Sequence, residues 1–207
     1  MKRVYSFMML LCMVIPFSSS ASFINFDDYT PQGFNSQMVS GSSTTNGAEL
    51  LLSGNLWVYL NGTFDITADT IMYFTMEGFG LNPEIFGVGF DNDNIVTPQT
   101  LFQTGGTENT RANQVGDYSA GDGSVDFAIN VGDFFTGTFS QLIFILDNDS
   151  MSSGSEVLFS NVEFCTTDSA CLTTGNNLDS ANPVNAPSVA LLSLFALFFT
   201  IRKRRSL

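Results

Sequence analysis

Short runs of β-branched, aromatic and aliphatic residues, separated by turn signals, recur between residues 22 and 165. Residues 70–78 are β-branched and aromatic, and residues 125–131 alternate apolar with polar side chains, as a half-exposed strand does. Residues 141–146 are continuously apolar after the leading Gln, which indicates a central strand. No segment outside the two chain ends has the period of a helix. The pattern predicts an all-β fold, a jelly-roll-type antiparallel β-sandwich of two stacked sheets.

Turn signals divide the first half of this region. The triplet Ser-Gly-Asn at 53–55 separates two apolar runs, and Asn-Gly at 61–62 precedes a third. These signals predict tight turns between three short strands, the first turn a hairpin. Residues 32–47 are rich in Gly, Ser and Thr, and they are predicted to form a loop or an irregular edge.

The chain ends have the layout of an exported protein. Residues 1–21 combine a basic start, an apolar run and small residues at the end, which predicts a secretory signal peptide. Residues 166–185 are polar and are predicted to be a linker. Residues 186–207 contain an apolar run at 189–201 that is shorter than the roughly 20 residues of a typical spanning helix. They are predicted to form a marginal transmembrane sorting segment, which leaves residues 22–165 as a single ectodomain.

The apolar run at 189–201 is flanked by two short motifs, which consist of Asn185, Ala186 and Pro187 before it and Arg202, Lys203, Arg204 and Arg205 after it. With this layout the tail resembles that of PEP-CTERM proteins of Gram-negative bacteria. A turn motif precedes the apolar run, and a basic cluster that stays on the cytoplasmic side follows it. The resemblance implies export through the inner membrane, anchoring by the C-terminal helix, processing by an exosortase, and a final place at the cell surface or outside the cell. A plain membrane anchor remains the alternative, since the usual Pro-Glu-Pro is replaced.

The region between the two ends is strongly acidic. The net charge of the whole chain is −13, but Arg111 is the only basic residue between residues 22 and 201. That region holds all twenty acidic residues, so it carries nineteen net negative charges. Such a surface repels phosphate, which excludes nucleic acid as a partner and leaves metal cations and cationic polymers. A solvated exterior suited to a salty medium is the alternative reading of the charge.

The cysteine and histidine content of the chain limits the covalent and catalytic chemistry that it can perform. Cys165 and Cys171 are predicted to form a disulfide, because an exported protein meets an oxidising compartment. The chain has no His, which removes the Ser-His-Asp and Cys-His routes to nucleophilic catalysis. The sequence therefore predicts a protein that is not an enzyme.

Two acidic turns follow the two most apolar strands. One contains Asp91 and Asp93, and the other contains Asp147 and Asp149. Oxygen ligands presented from loops suit Ca²⁺, so these four residues are candidate metal ligands and Ca²⁺ a possible cofactor. The alternative is an ordinary turn in which Asn and Asp bond their own backbone.

Four aromatic residues are candidates for stacking on sugar rings: Trp57, Tyr59, Tyr73 and Tyr118. Core packing is the alternative, and it is favoured for Trp57. The stretch Glu-Ile-Phe-Gly-Val-Gly-Phe-Asp at 84–91 resembles a carbohydrate-binding-module-like β-sandwich found on bacterial surface proteins and polysaccharide-active enzymes. That resemblance implies a jelly-roll fold and carbohydrate binding.

Together these features predict an exported, non-catalytic cell-surface or extracellular-matrix protein that binds glycan or exopolysaccharide, with possible support from Ca²⁺. A structural or adhesive matrix protein without a specific ligand is the alternative.

Overall fold

The computed structural model describes residues 22–37, 40–149 and 154–166, all within the compact unit Met1–Leu172. These ranges contain eleven strands and three short 3₁₀ helices, so the all-β prediction is confirmed for them. None of their helices is long and apolar enough to cross a membrane. The predicted signal peptide, nearly all of the linker and the C-terminal segment lie outside the described residues.

The strands differ greatly in length, from two residues to eighteen. In chain order they are β1 (Ser22–Phe23), β2 (Gln32–Gly33), β3 (Ser40–Asn46), β4 (Glu49–Ile66), β5 (Thr70–Gly80), β6 (Ile85–Asp91), β7 (Leu101–Gly105), β8 (Asn113–Tyr118), β9 (Val125–Ile129), β10 (Gly137–Asp147) and β11 (Ser155–Thr166). The 3₁₀ helices are Phe26–Asp28, Pro98–Thr100 and Val131–Asp133.

Strand β4 belongs to two sheets. Its first part, residues 49–53, pairs with β11, while residues 56–66 pair with β10. The predicted turns at 53–55 and 61–62 are therefore wrong, because both signals lie inside one continuous strand. Gly54 adopts φ 108°, and a Cβ there would meet the carbonyl oxygen of Ser40 at 2.7 Å. Glycine thus marks a close approach to β3 rather than a reversal of the chain.

Two sheets result from this sharing. Sheet 1 has the order β3–β4–β11–β5–β9, and β1 also pairs with β11. Sheet 2 has the order β2–β4–β10–β6–β7–β8. Each of the three long or central strands has at least two partners: β4 pairs with β11 and β10, β5 with β11 and β9, and β6 with β10 and β7. The jelly-roll connectivity stays a prediction.

Two details depart from the sequence prediction. Strands β7 and β8 pair in parallel, whereas an antiparallel sandwich was predicted. Residues 106–112 carry the chain back to the start of β7 before β8 begins. Residues 40–46, predicted as loop or irregular edge, form the edge strand β3, because hydrogen bonds to β4 hold this polar segment extended.

The two sheets face each other across a core rich in phenylalanine. Phe144 of β10 contacts Phe159 of β11, with ring centroids 5.1 Å apart, and Phe26, with centroids 5.5 Å apart. All three side chains have no exposed surface. Cys165, at the end of β11, is disulfide-bonded. Its predicted partner Cys171 lies outside the described residues, so that pairing stays a prediction.

A second apolar cluster covers the outer side of sheet 2. Trp57 of β4 and Ile143 and Ile145 of β10 point outward here, and Phe34 packs over them from the segment after β2. Ile85 and Leu101 complete the cluster. The outer side of sheet 2 is therefore largely covered by the chain itself.

Phe144→Ala should lower the free energy of unfolding by about 3–5 kcal/mol, because it removes a ring between the two sheets. Phe134→Ala is the matched control, since Phe134 is 48% exposed. Denaturant unfolding measures both. An equal loss in the two variants would contradict the central place assigned to Phe144.

Candidate functional site

Two of the predicted sugar-stacking aromatics are packed inside the protein. Trp57 is only 4% exposed and stacks on Phe34, with ring centroids 6.2 Å apart and planes 10° apart. Tyr118 is also 4% exposed; its hydroxyl donates to the carbonyl of Gly123 and accepts from the backbone N–H of Gly78. Neither ring has a face free to stack on a sugar.

The other two tyrosines are half-exposed, on different sheets. Tyr59 points outward from sheet 2 beside the second apolar cluster, and its hydroxyl donates to the side chain of Gln32 at 3.0 Å. Tyr73 points outward from sheet 1, between Ala128 of β9 and Glu163 of β11 in the register. The structure thus separates the predicted aromatic set instead of assembling it.

The outer side of sheet 1, here called the open face, is not covered by the described residues as sheet 2 is. Its three central strands are β4, β11 and β5. The outward side chains in residues 49–53 of β4, 156–160 of β11 and 73–79 of β5 are all exposed or half-exposed. Cross-strand pairing places Leu51 beside Leu158 and Leu158 beside Glu77. The open face consists of Glu49, Leu51, Ser53, Tyr73, Thr75, Glu77, Phe79, Glu156, Leu158 and Ser160.

Carboxylates and hydroxyls surround the apolar side chains of the open face. The Ser53 hydroxyl donates to Glu156 at 3.0 Å. The Thr75 hydroxyl donates to Asp126, at the neighbouring position on β9, at 2.7 Å. No Lys or Arg belongs to this face, because Arg111 lies in the connection between β7 and β8. The open face therefore presents aromatic and aliphatic side chains surrounded by hydrogen-bond acceptors. None of its residues is positively charged.

The four predicted metal ligands fall into two separate places. Asp91 pairs with Gln141 near one end of the β6–β10 ladder, and Asp147 pairs with Ile85 at the other end. Six residues of extended strand separate the two turns by roughly 20 Å. The Asp91 carboxylate accepts the backbone N–H groups of Asp93 and Asn94, which is the ordinary Asx turn. Asp91 and Asp93 therefore do not join Asp147 and Asp149 in one site.

Asp147 and Asp149 instead meet Glu84, which the sequence analysis missed as a ligand. One oxygen from each carboxylate lies within 4.8 Å of the others, and these three residues are here called the acidic triad. The backbone N–H of Asp149 donates to Glu84 at 2.5 Å. The signal available in the sequence was only that Glu84 immediately precedes the apolar run that forms β6.

A buried hydrogen-bond network holds the triad in place. The side chain of Asn55, which is 1% exposed, donates to the Asp149 carboxylate at 2.8 Å and accepts the backbone N–H of Asn148 at 3.0 Å. The Asn148 side chain donates to the Ser155 hydroxyl, which donates to the carbonyl of Leu81. The bend of β4 is thereby tied to the connections that follow β5 and β10.

Burial raises the pKa of Asp147 to about 6, and the neighbouring charge of Asp149 adds to the rise. The indole N–H of Trp57 acts in the opposite direction, and the charges of Glu84 and Glu108 raise the pKa further. The triad is thus a place where negative charge accumulates without a compensating cation from the described residues.

No protein-family profile matches the chain, and no curated protein matches it. Among solved structures it is similar to the family 29 carbohydrate binding module CBM29-2. One mutant, complexed with cellulohexaose, has 15% identity and a TM-score of 0.41 over 70% of this chain and 87% of the module. Another has 16% identity and a TM-score of 0.42 over 80% and 97%. These TM-scores lie below 0.5, so the likeness decides neither the fold nor the ligand of this chain.

Without divalent cations, the free energy of unfolding should fall as the pH rises from about 4 to about 6. The Asp147 carboxyl has a pKa of 3.8 as its ordinary value and about 6 when folded, so the folded state holds its proton more tightly in this window. Asp147→Asn should flatten this slope, and Asp93→Asn should leave it unchanged. Denaturant unfolding at several pH values in chelator checks this. An unchanged slope in Asp147→Asn would refute the assignment.

Proposed function

We propose that this protein is a non-catalytic glycan-binding protein and that the open face of sheet 1 is its binding surface. The observation that carries the proposal is the combination of outward aromatic and aliphatic side chains with acceptor groups on one uncovered sheet. Sheet 2 is the weaker candidate, because its own apolar cluster occupies its outer side.

A sugar ring has an apolar face of C–H groups and a rim of hydroxyls. The ring of Tyr73 and the side chains of Leu51, Leu158 and Phe79 suit the apolar faces, since stacking removes apolar surface from water. Carboxylates such as Glu77 and Glu156 suit the hydroxyl rim, because a charged acceptor makes a stronger hydrogen bond than a neutral one. An extended strand rises by about 3.4 Å per residue, so Tyr73 and Phe79 stand roughly 20 Å apart, enough for a chain of several sugars.

The charge of the face narrows the class of glycan. A polysaccharide that carries carboxylates or sulfates would meet repulsion from Glu49, Glu77 and Glu156 without any basic partner. A neutral or amine-bearing chain avoids this penalty. The proposed ligand is therefore an uncharged or cationic polysaccharide.

The export signals give the proposed setting. The predicted signal peptide at 1–21 and the predicted sorting segment at 186–207 support passage through the inner membrane, anchoring by the C-terminal helix, and recognition by an exosortase-type enzyme. Display at the cell surface or in the extracellular matrix would bring the open face into contact with polysaccharide.

Tyr73→Ala should weaken binding of a neutral oligosaccharide such as cellohexaose about five- to tenfold, because an aromatic contact contributes roughly 1 kcal/mol. Tyr59→Ala is the matched control, since Tyr59 is also half-exposed but points from sheet 2. Isothermal titration calorimetry with neutral, amine-bearing and uronic-acid oligosaccharides measures both.

Three outcomes would count against the proposal. Stronger binding of the uronic acid would refute the charge argument. Loss of binding only in Tyr59→Ala would move the surface to sheet 2. Absence of binding to every glycan would favour a structural matrix protein without a specific ligand.

A further inference from the structure

We propose that removal of residues 1–21 creates a positively charged amino group on Ser22, and that this group pairs with the buried carboxylate of Glu163. The pair would fasten β1 to β11 in the processed protein and would be absent from the precursor. This inference rests on the predicted signal peptide of the proposed setting, but it does not depend on glycan binding at the open face.

Glu163 is a buried acid to which the described residues provide no counter-charge. Its side chain is 1% exposed, and its Oε2 atom is buried without a hydrogen-bond partner. Burial raises the pKa of this carboxyl, and no charged group of the described residues lowers it. A buried carboxylate of this kind requires a hydrogen-bond donor or an opposite charge, because its desolvation is otherwise uncompensated.

The described groups that face Glu163 are uncharged. Cross-strand pairing places Phe23 of β1 on one side of it and Tyr73 of β5 on the other. Along β11, the next residue with the same orientation is Cys165, which is disulfide-bonded. Arg111 lies in the connection between β7 and β8, which belong to the other sheet. A counter-charge for Glu163 therefore has to come from a different group.

The backbone nitrogen of Ser22 lies close to this carboxylate. Ser22 pairs with Phe164, the neighbour of Glu163, in the antiparallel β1–β11 ladder. The Ile24 N–H donates to the Val162 carbonyl at 2.7 Å. Since hydrogen-bonded pairs alternate along such a ladder, Ser22 and Phe164 form the next one. Strand spacing and rise put the Ser22 nitrogen roughly 6–7 Å from the Cα of Glu163, which an extended glutamate side chain and one hydrogen bond span.

Cleavage after Ala21 changes the chemistry of that nitrogen. In the precursor it is an amide nitrogen, which carries no charge. Hydrolysis adds the hydroxyl of water to the Ala21 carbonyl carbon and a hydrogen to the Ser22 nitrogen, and the free amine then takes a proton from solvent. An α-amino group has an ordinary pKa of about 7.7–8.0, so it is mostly cationic at neutral pH. A charged donor beside Glu163 makes a strong hydrogen bond to the carboxylate.

The pair would complete the attachment of the first strand. β1 has only two residues, so few backbone hydrogen bonds hold it against β11. An ion pair at the first residue of the processed chain adds a contact that no longer chain can make in the same place. The processed protein should therefore be more stable than a chain that retains residues before Ser22.

The pKa of the Ser22 amine is the direct readout. In the chain 22–207 that carries Lys203→Arg, this amine is the only primary amine, because Lys203 is the single Lys of that range. Reductive methylation with isotopically labelled formaldehyde keeps its charge and gives one methyl NMR signal that can be followed against pH in mild detergent. The amine pKa should lie about one unit or more above its value in denaturant.

Glu163→Gln should return the amine pKa to its value in denaturant. Glu77→Gln is the matched control, since Glu77 is a half-exposed acid on the same side of sheet 1, and it should leave the pKa raised. The measurement in the unchanged Glu163 chain decides the question by itself if Glu163→Gln does not fold.

Acetylation of the amine should lower Tm by several degrees at about pH 7 when Glu163 is present, and it should have almost no effect in Glu163→Gln. A raised amine pKa in the folded state means that the stabilisation is complete below the unfolded value and is lost as the pH rises through the folded value. The difference in Tm between the free and acetylated chains should therefore shrink between about pH 8 and pH 10.

An amine pKa equal to its value in denaturant would overturn the proposal. An equal loss of Tm on acetylation with and without Glu163 would do so as well. Mass spectrometry of the full chain, exported by a Gram-negative host, should show a mature protein that begins at Ser22. A mature protein that begins at any other residue would overturn this inference while leaving glycan binding at the open face unaffected.

Discussion

The membership of β4 in both sheets is the constraint on which the rest of the structure depends. One continuous strand supplies a partner to β11 in sheet 1 and to β10 in sheet 2. The change of sheet requires close backbone approach at Gly54, and the next residue, Asn55, binds the start of the β10–β11 connection. Gly54 and Asn55 therefore determine where β4 passes from one sheet to the other, and Asn55 also positions the acidic triad.

The same arrangement determines which side of the sandwich is free. The segment after β2 lies over the outer side of sheet 2, where Phe34 stacks on Trp57. The described residues give sheet 1 no comparable cover at Tyr73 or Phe79, whereas the half-exposed Tyr59 of sheet 2 packs beside the covering cluster. The proposed binding surface and the acidic triad consequently lie at different places, one on a sheet face and one at a strand end.

Local patterns in the sequence were sufficient for part of this account. The alternation in 70–78 and 125–131 and the apolar run at 141–146 predicted strands that exist as β5, β9 and β10. The Gly signals at 53–55 and 61–62 failed, because a glycine allows close approach as readily as a turn and the sequence does not distinguish the two. Period-2 alternation places Trp57 and Tyr59 on one side of a strand, but it cannot show that Phe34 covers that side. Glu84 was missed because its proximity to Asp147 depends on the register of β6 with β10, which is a long-range property.

The central claim is that the open face binds glycan, and NMR chemical-shift mapping tests it most directly. Titration with a neutral hexasaccharide should shift the amide signals of β5, β11 and the first part of β4, with the largest changes around Tyr73, Glu77 and Leu158. Shifts confined to sheet 2, around Tyr59 and the connection between β6 and β7, would contradict the claim.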